Sequence, residues 1–149
     1  MIDIENLVFD TVYNQLHPLF PEANITAGYD EQNAKFPAVI IRETNNQAFR
    51  RSATDECAEN HARLTYEIEV YSDKENTARS ECKEILNAVD EIMQSMKFRR
   101  IHKNRPINVD RTIYRQYARY EVIAAKGINE TVIIDGKEVV NTIYHMYRR

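Results

Sequence analysis

"LTYEIEVYSD", residues 64–73, alternates apolar and polar side chains with a period of two. Leu64, Tyr66, Ile68 and Val70 share one face, while Thr65, Glu67, Glu69 and Tyr71 share the other. Such alternation marks a strand with one face buried. The stretch therefore implies a sheet with a covered side and an open side. What the open side does is the question it raises: two glutamates beside a tyrosine suit acid–base chemistry, contact with a partner, or plain solvation.

Downstream, "DKENTARSECKEILNAVDEIMQSM" (73–96) changes the period. Ala78, Cys82, Ile85, Leu86, Val89, Ile92, Met93 and Met96 recur at steps of three and four, which predicts an amphipathic helix with one apolar stripe. Asp73 or Asn76 is the expected cap, and Glu75 near the start and Lys97 at the end agree with the helix dipole. Cys82 lies on the stripe, so it reads as a core cysteine rather than a nucleophile.

Beyond the helix, "RTIYRQYARYEVIAAKG" (111–127) reads as a long strand. Tyr114, Ala118, Tyr120, Val122 and Ala124 share one parity, and Ile113, Arg115, Tyr117, Arg119, Glu121 and Ile123 the other. Antiparallel pairing with 64–73 sets Arg115 and Arg119 against Glu67 and Glu69, pairs worth roughly 0.2–1 kcal/mol each. Next, "IIDGKEVV" (133–140) joins two β-branched runs through Asp135-Gly136, a strong hairpin signal. A hairpin alone in water is marginal, so this one must rest on something.

Upstream, Val8, Val12 and Leu16 give "IDIENLVFDTVYNQLHPLFP" (2–21) a helical period that should stop near His17, before Pro18. A short extended piece is expected near "NITAGY" (24–29), and "FPAVIIRE" (36–43) reads as a strand covered on both faces or central in its sheet. "NNQAFRRSATDECAEN" (45–60) breaks the pattern and reads as a long polar loop. Phe49 followed by Arg50 and Arg51 marks it as a contact segment.

At 149 residues, with 43% hydrophobic and 29% charged side chains, the chain suits one soluble domain. No apolar run approaches the roughly 18 residues of a membrane span, and the acidic start "MIDIENLVFD" is unlike a secretory leader. Cys57 and Cys82, without CxxC spacing, fit a reducing compartment. The net charge of −3 hides a division. Residues 1–96 carry 18 acidic and 8 basic side chains, net −10, while residues 97–149 carry 5 and 12, net +7. Such blocks suit head-to-tail contact between identical copies, nucleic-acid contact by the basic part, or simple interleaving by the fold.

Chemistry is sparse. His17, His61, His102 and His145 lack metal-site spacing, and Gly28, Gly127 and Gly136 build neither a P-loop nor a dinucleotide fingerprint. Ser72, Ser80 and Ser95 lack a nucleophile-elbow setting. Glu67 and Glu69 point the same way, the one arrangement that a magnesium-dependent nuclease would need. The run "KFRRIHKNR" (97–105) carries Arg99, Arg100, Lys103 and Arg105 and would serve phosphate contact. The reading is a non-enzyme with no metal and no cofactor.

Taken in order, "LHPLFP", "FPAVIIRE", a polar gap, "YEIEVYSD", "ECKEILNAVDEIM", "FRRI" and "RTIYRQYARYEVI" resemble the tail terminator, or tail completion, proteins of long-tailed bacteriophages and their prophage relatives, over roughly residues 5–125. The resemblance implies an α+β, sandwich-like single domain with a mainly antiparallel sheet of about four strands and two helices on one face, to which the residues themselves add a C-terminal hairpin extension over 130–147. It also implies a hexameric ring on the last ring of tail-tube protein, which ends tube growth and meets the head-closure protein of the connector, with DNA passing through. The site would then be the neck of the virion, reached from the host bacterial cytoplasm during assembly, with no membrane involved. Partner or ring contacts are expected at Phe49, Arg50, Arg51, Glu67, Glu69, Arg115, Arg119, Ile133 and Val139, and DNA or lumen contacts at Arg99, Arg100, Lys103 and Arg105. Two departures from the family stand out: Lys97 sits where glycine is the easier helix stop, and the 133–140 hairpin lies outside the matched part. Alternatives are a head-closure or neck protein of the same particle, a Glu67/Glu69 metal nuclease, and a DNA-binding accessory protein using 97–105.

Overall fold

The structure, a computed structural model, describes residues 1–28, 35–48 and 61–148, with the side chains of 127–132, 134 and 139–143 outside the description. It has two helices and a mixed seven-stranded sheet that curls into a half-barrel, an α+β fold. The elements are α1 (Glu5–Leu16), β1 (Asn24–Thr26), β2 (Ala38–Ala48), β3 (His61–Ser72), α2 (Ala78–Ser95), β4 (Arg99–Lys103), β5 (Ile107–Asp110), β6 (Ile113–Ile134) and β7 (Lys137–Tyr147).

The expected sheet of about four mainly antiparallel strands is corrected on both points. The order is β1-β2-β3-β6-β4, with β5 and β7 also on β6, and β1 runs parallel to β2. The extra strands escape a periodicity reading because they are short. β1 has three residues, and every residue of β4 and β5 is exposed, so neither shows alternation. β6 is the organiser: its 22 residues span about 70 Å at ~3.3 Å per residue. One edge takes β3, and the other takes β5, β4 and β7 in succession.

The alternation of 64–73 places Leu64, Tyr66, Ile68 and Val70 on the helix side, opposite Val122, Tyr120, Ala118 and Gln116 of β6. On β2, Val39 and Ile41 stand beside Val70 and Ile68. α2 lies on this side and buries its stripe from Ala78 to Met96, with Cys82 fully covered as expected. α1 joins α2 and β2 through Val8, Val12 and Leu16, helped by Ile2 and Ile4 ahead of it. Tyr66 and Phe98 meet edge to face, with ring centroids 5.5 Å apart.

The helix ends depart from expectation at the start of α2 and agree at its stop. Thr77 is the N-cap of α2 and makes no side-chain cap bond, because Asn76 adopts φ 66° and directs the chain into the helix. Ser72 binds there instead, donating to Glu81 at 2.7 Å and accepting from the Lys74 N–H at 3.3 Å. At the other end Lys97 takes φ 73°, the left-handed position where glycine is easier. The N–H of Phe98 reaches Met93 O at 3.1 Å and that of Lys97 reaches Gln94 O at 3.0 Å, a Schellman stop with Phe98 and Met93 both buried. α1 stops as predicted, with His17 N–H bonded to Tyr13 O before Pro18.

The polar gap begins later than the sequence reading placed it. Residues 45–48 continue β2 past a bulge at Glu43/Asn45 and pair with 62–65, while 49–60 lie outside the described residues. Asn46 Nδ2 donates to Ile2 O at 2.8 Å, a tertiary anchor that overrides the poor strand propensity of "TNNQ". β2 is buried only over Ala38–Ile41 and exposed from Arg42 on except for the half-buried Glu43 and Asn46, so the expectation of two covered faces holds for those four residues alone.

The Asp135-Gly136 turn forms as predicted, with φ of 52° and 77°. Its strands are continuous with the sheet. β7 pairs with 123–126 of β6 near its end, and Tyr144 and Met146 pack against the core. Arg148 then donates to Gln94 O at 2.9 Å and Lys97 O at 3.3 Å, setting a cation at the C-terminal end of α2. Farther out, 129–134 pair with 137–142, beyond Ala125, the last residue of β6 with a described partner on β3. Among the described residues this outer part is a two-stranded arm.

Candidate functional site

The open sheet face is an ion-pair lattice. Register sets Glu67 directly opposite Arg119, Glu69 opposite Tyr117 and Tyr71 opposite Arg115, so the expected cross-strand pairing forms with one diagonal contact. Arg115 Nη2 reaches Glu69 Oε1 at 2.5 Å and Glu67 Oε1 at 3.8 Å, and Arg119 Nε lies 3.8 Å from Glu67 Oε1. From β2, Arg42 Nη2 bridges both carboxylates, 3.1 Å from Glu67 and 2.9 Å from Glu69. The Tyr71 hydroxyl donates to Glu69 Oε2 at 3.4 Å. Tyr117 presents its ring to Arg115 and Arg119, 4.6 and 5.5 Å from the centroid.

The arginines roof the acids. Glu67 and Glu69 are 6% and 5% exposed although no helix covers them, while the side chains of Arg42 and Arg119 remain about half exposed. Burial lowers the Arg115 pKa, but the hydrogen bond and charge of Glu69 outweigh it and the guanidinium is held above its ordinary value. Burial first, and then the Glu69 charge, push the Tyr71 hydroxyl up. Carboxylates so engaged have little capacity left for a metal or a substrate proton. Among the described residues no group of three or more His, Cys, Asp or Glu is placed to hold a metal.

The other expected contact residues divide. Arg99 lies 3.6 Å from Glu121, and Arg100 lies 3.0 Å from Asp90, which also accepts the Tyr120 hydroxyl at 2.8 Å. Two of the four expected DNA-facing cations thus serve inside the subunit. Lys103 and Arg105 are exposed and have no acidic partner among the described residues. Ile133 is 71% exposed near the arm tip, and the backbone of Val139 pairs with Val132 there. Phe49, Arg50 and Arg51 lie outside the described residues.

The sequence reading missed Arg42 and Tyr117 as members of the lattice, and Asp90 on the helix side as the partner of Arg100 and Tyr120. Arg42 had a usable signal: any strand flanking Glu67 and Glu69 has to offer a cation on the same face to keep them charged.

Clefts among the described residues include three. One, about 630 Å³, lies at the start of α2 between Lys74, Arg79, Lys83 and Arg111. Another, about 250 Å³, lies between α1 and β2 beside Glu5 and Glu43. Burial first, and then the Glu5 charge, hold the Glu43 carboxyl above its ordinary value, and the Tyr66 hydroxyl donates to it at 3.3 Å. The third, about 260 Å³, lies between Leu19 and Ile85.

Among the described residues no helix is long and apolar enough to cross a membrane. Neither a protein-family model nor a curated protein matches the chain.

Proposed function

We propose that this protein is a structural component of a long-tailed phage or prophage particle: a tail terminator that assembles as a ring on the tail tube, ends its growth and meets the head-closure protein of the connector. It works without a cofactor, through contacts with copies of itself, with tube protein and with the connector. The exposed basic residues Lys103 and Arg105 are available to passing DNA.

The observation that carries this reading is the arm formed by 129–134 and 137–142. Among the described residues no third strand joins it; two strands alone are marginal in water, and an arm bearing an exposed Ile133 near its tip gains stability by lying on another molecule. The ion-pair lattice supports the same reading from the other direction. The carboxylate pair that the sequence offers for catalysis, Glu67 and Glu69, is engaged by Arg42, Arg115 and Arg119.

Adding the purified protein to polymerising tail-tube protein tests the proposal. The expected result is shorter tubes of uniform end structure with the protein at one end only. Binding to capsid connectors but not to tubes would move the protein to the head side of the neck, and magnesium-dependent cleavage of DNA abolished by Glu67→Gln would replace the proposal with a nuclease.

A further inference from the structure

The two ends of the sheet differ in charge and match in shape of composition. At one end, α1 and the turn after it expose Leu7, Tyr13 and Leu19 beside Asp10 and Glu22. Residues 1–28 hold four acidic side chains and no lysine or arginine, and among the described residues neither Asp10 nor Glu22 forms an ion pair. At the other end of the strand order, β4 and β5 expose Ile101, Ile107 and Val109 beside Lys103, Arg105 and Arg111. Among the described residues no strand lies beyond β4, so its outer main-chain groups are open as well. An open strand edge carrying exposed isoleucines invites association unless something covers it.

We propose that copies of this chain join head to tail, the acidic α1 end of one subunit seating on the basic β4–β5 edge of the next. It deepens the ring reading given above, since it names the two surfaces that such a ring would use. Complementary charge at the rim steers and registers the contact, and the apolar side chains on both sides supply its buried centre. The contact is heterologous: each patch meets the other kind and never itself, so every subunit keeps one free end until the chain of contacts closes. The edge residues chosen by this contact are those left over from internal pairing. Arg99 and Arg100 are held by Glu121 and Asp90, whereas Lys103, Arg105 and Arg111 are free to meet a neighbour.

Charge exchange between two variants tests the contact. Asp10→Lys with Glu22→Lys turns the patch around Leu7, Tyr13 and Leu19 basic, like the β4–β5 edge, and Lys103→Glu with Arg105→Glu turns that edge net acidic, like the α1 patch. All four positions are exposed, so both proteins should melt like the wild type. Sedimentation of the wild type in low salt should show multimers that dissociate as salt is raised. Each variant alone should associate at least about tenfold more weakly, because like charges then face each other. An equal mixture should recover multimers, since alternating subunits restore an opposite-charge contact at every junction. A wild type that stays monomeric in low salt, variants that associate as the wild type does, or a mixture that fails to recover would each overturn the contact. So would DNA binding by the β4–β5 edge without self-association. Tube capping by a protein that fails this test would leave the tail reading intact with different ring surfaces, whereas multimers of the proposed kind that never cap tubes would leave the contact and remove the tail reading.

Discussion

Glu69 and Arg115 sit on neighbouring strands, two residues out of direct register on the same face, with Arg115 Nη2 2.5 Å from Glu69 Oε1. The same oxygen accepts from Arg42 at 2.9 Å, so one carboxylate ties β2, β3 and β6 together. Glu69→Gln leaves the shape and removes the charge from beneath two guanidinium groups. Because Arg42 stays half exposed and resolvates, the cost falls below that of a fully buried broken pair, at about 1–2 kcal/mol. Thermal unfolding should shift down by roughly 2–4 °C per kcal/mol for a chain of this size. A double-mutant cycle with Arg115→Gln should give a favourable coupling; additive losses would mean the lattice contributes nothing as a lattice.

Alkaline pH should unfold the protein earlier than its surface charge alone would. Burial, and then the Glu81 charge, push the Cys82 thiol from 9.0 up to about 11. Burial leads again for Tyr66, next to Glu43, and for Tyr120, bonded to Asp90, and both are raised above the ordinary 10.0. Above pH 9–10 the unfolded chain has lost protons that the folded chain still holds, so the stability from these groups is complete below about pH 9 and declines as pH passes through about 11. Urea midpoints measured from about pH 8 to about pH 11 should fall, and Tyr120→Phe should flatten the fall.

Lys97 holds a left-handed backbone at the stop of α2. Lys97→Gly relieves a strain of about 1–2 kcal/mol, offset in part by the greater freedom of glycine in the unfolded chain. A net gain of about 0.5–1 kcal/mol in urea unfolding is expected. An unchanged or lower midpoint would show that the Lys97 side chain contributes there.

Much of this fold is legible in residues 64–125. Alternation in 64–73 and 113–124 carries face, partner and register, because a slip of one residue would turn Leu64, Tyr66, Ile68 and Val70 out to water. The stripe from Ala78 to Met96 carries α2 for the same reason, in a different period. Legibility fails where tertiary contact decides. "TNNQ" is a strand because Asn46 meets Ile2 and the run lies against β3, and β4 and β5 exist because β6 offers them an edge. The lattice was half visible: Glu67, Glu69, Arg115 and Arg119 share parity, but Arg42 is joined to them only by the pairing of β2 with β3. Asn76, expected as a cap, is consumed by the positive φ that starts α2.

Growth of tail tubes in the presence of an arm-trimmed protein tests the central claim most directly. Removing 129–134 and 137–142 while keeping Asp135-Gly136 deletes the two-stranded part and spares the β7 pairing to 123–126, Tyr144, Met146 and the Arg148 contacts to α2. The account predicts a protein that melts within a few degrees of the full chain yet no longer shortens tubes, seen by electron microscopy as a return to uncapped lengths. Full capping by the trimmed protein would contradict it, since the arm would then have no molecule to meet.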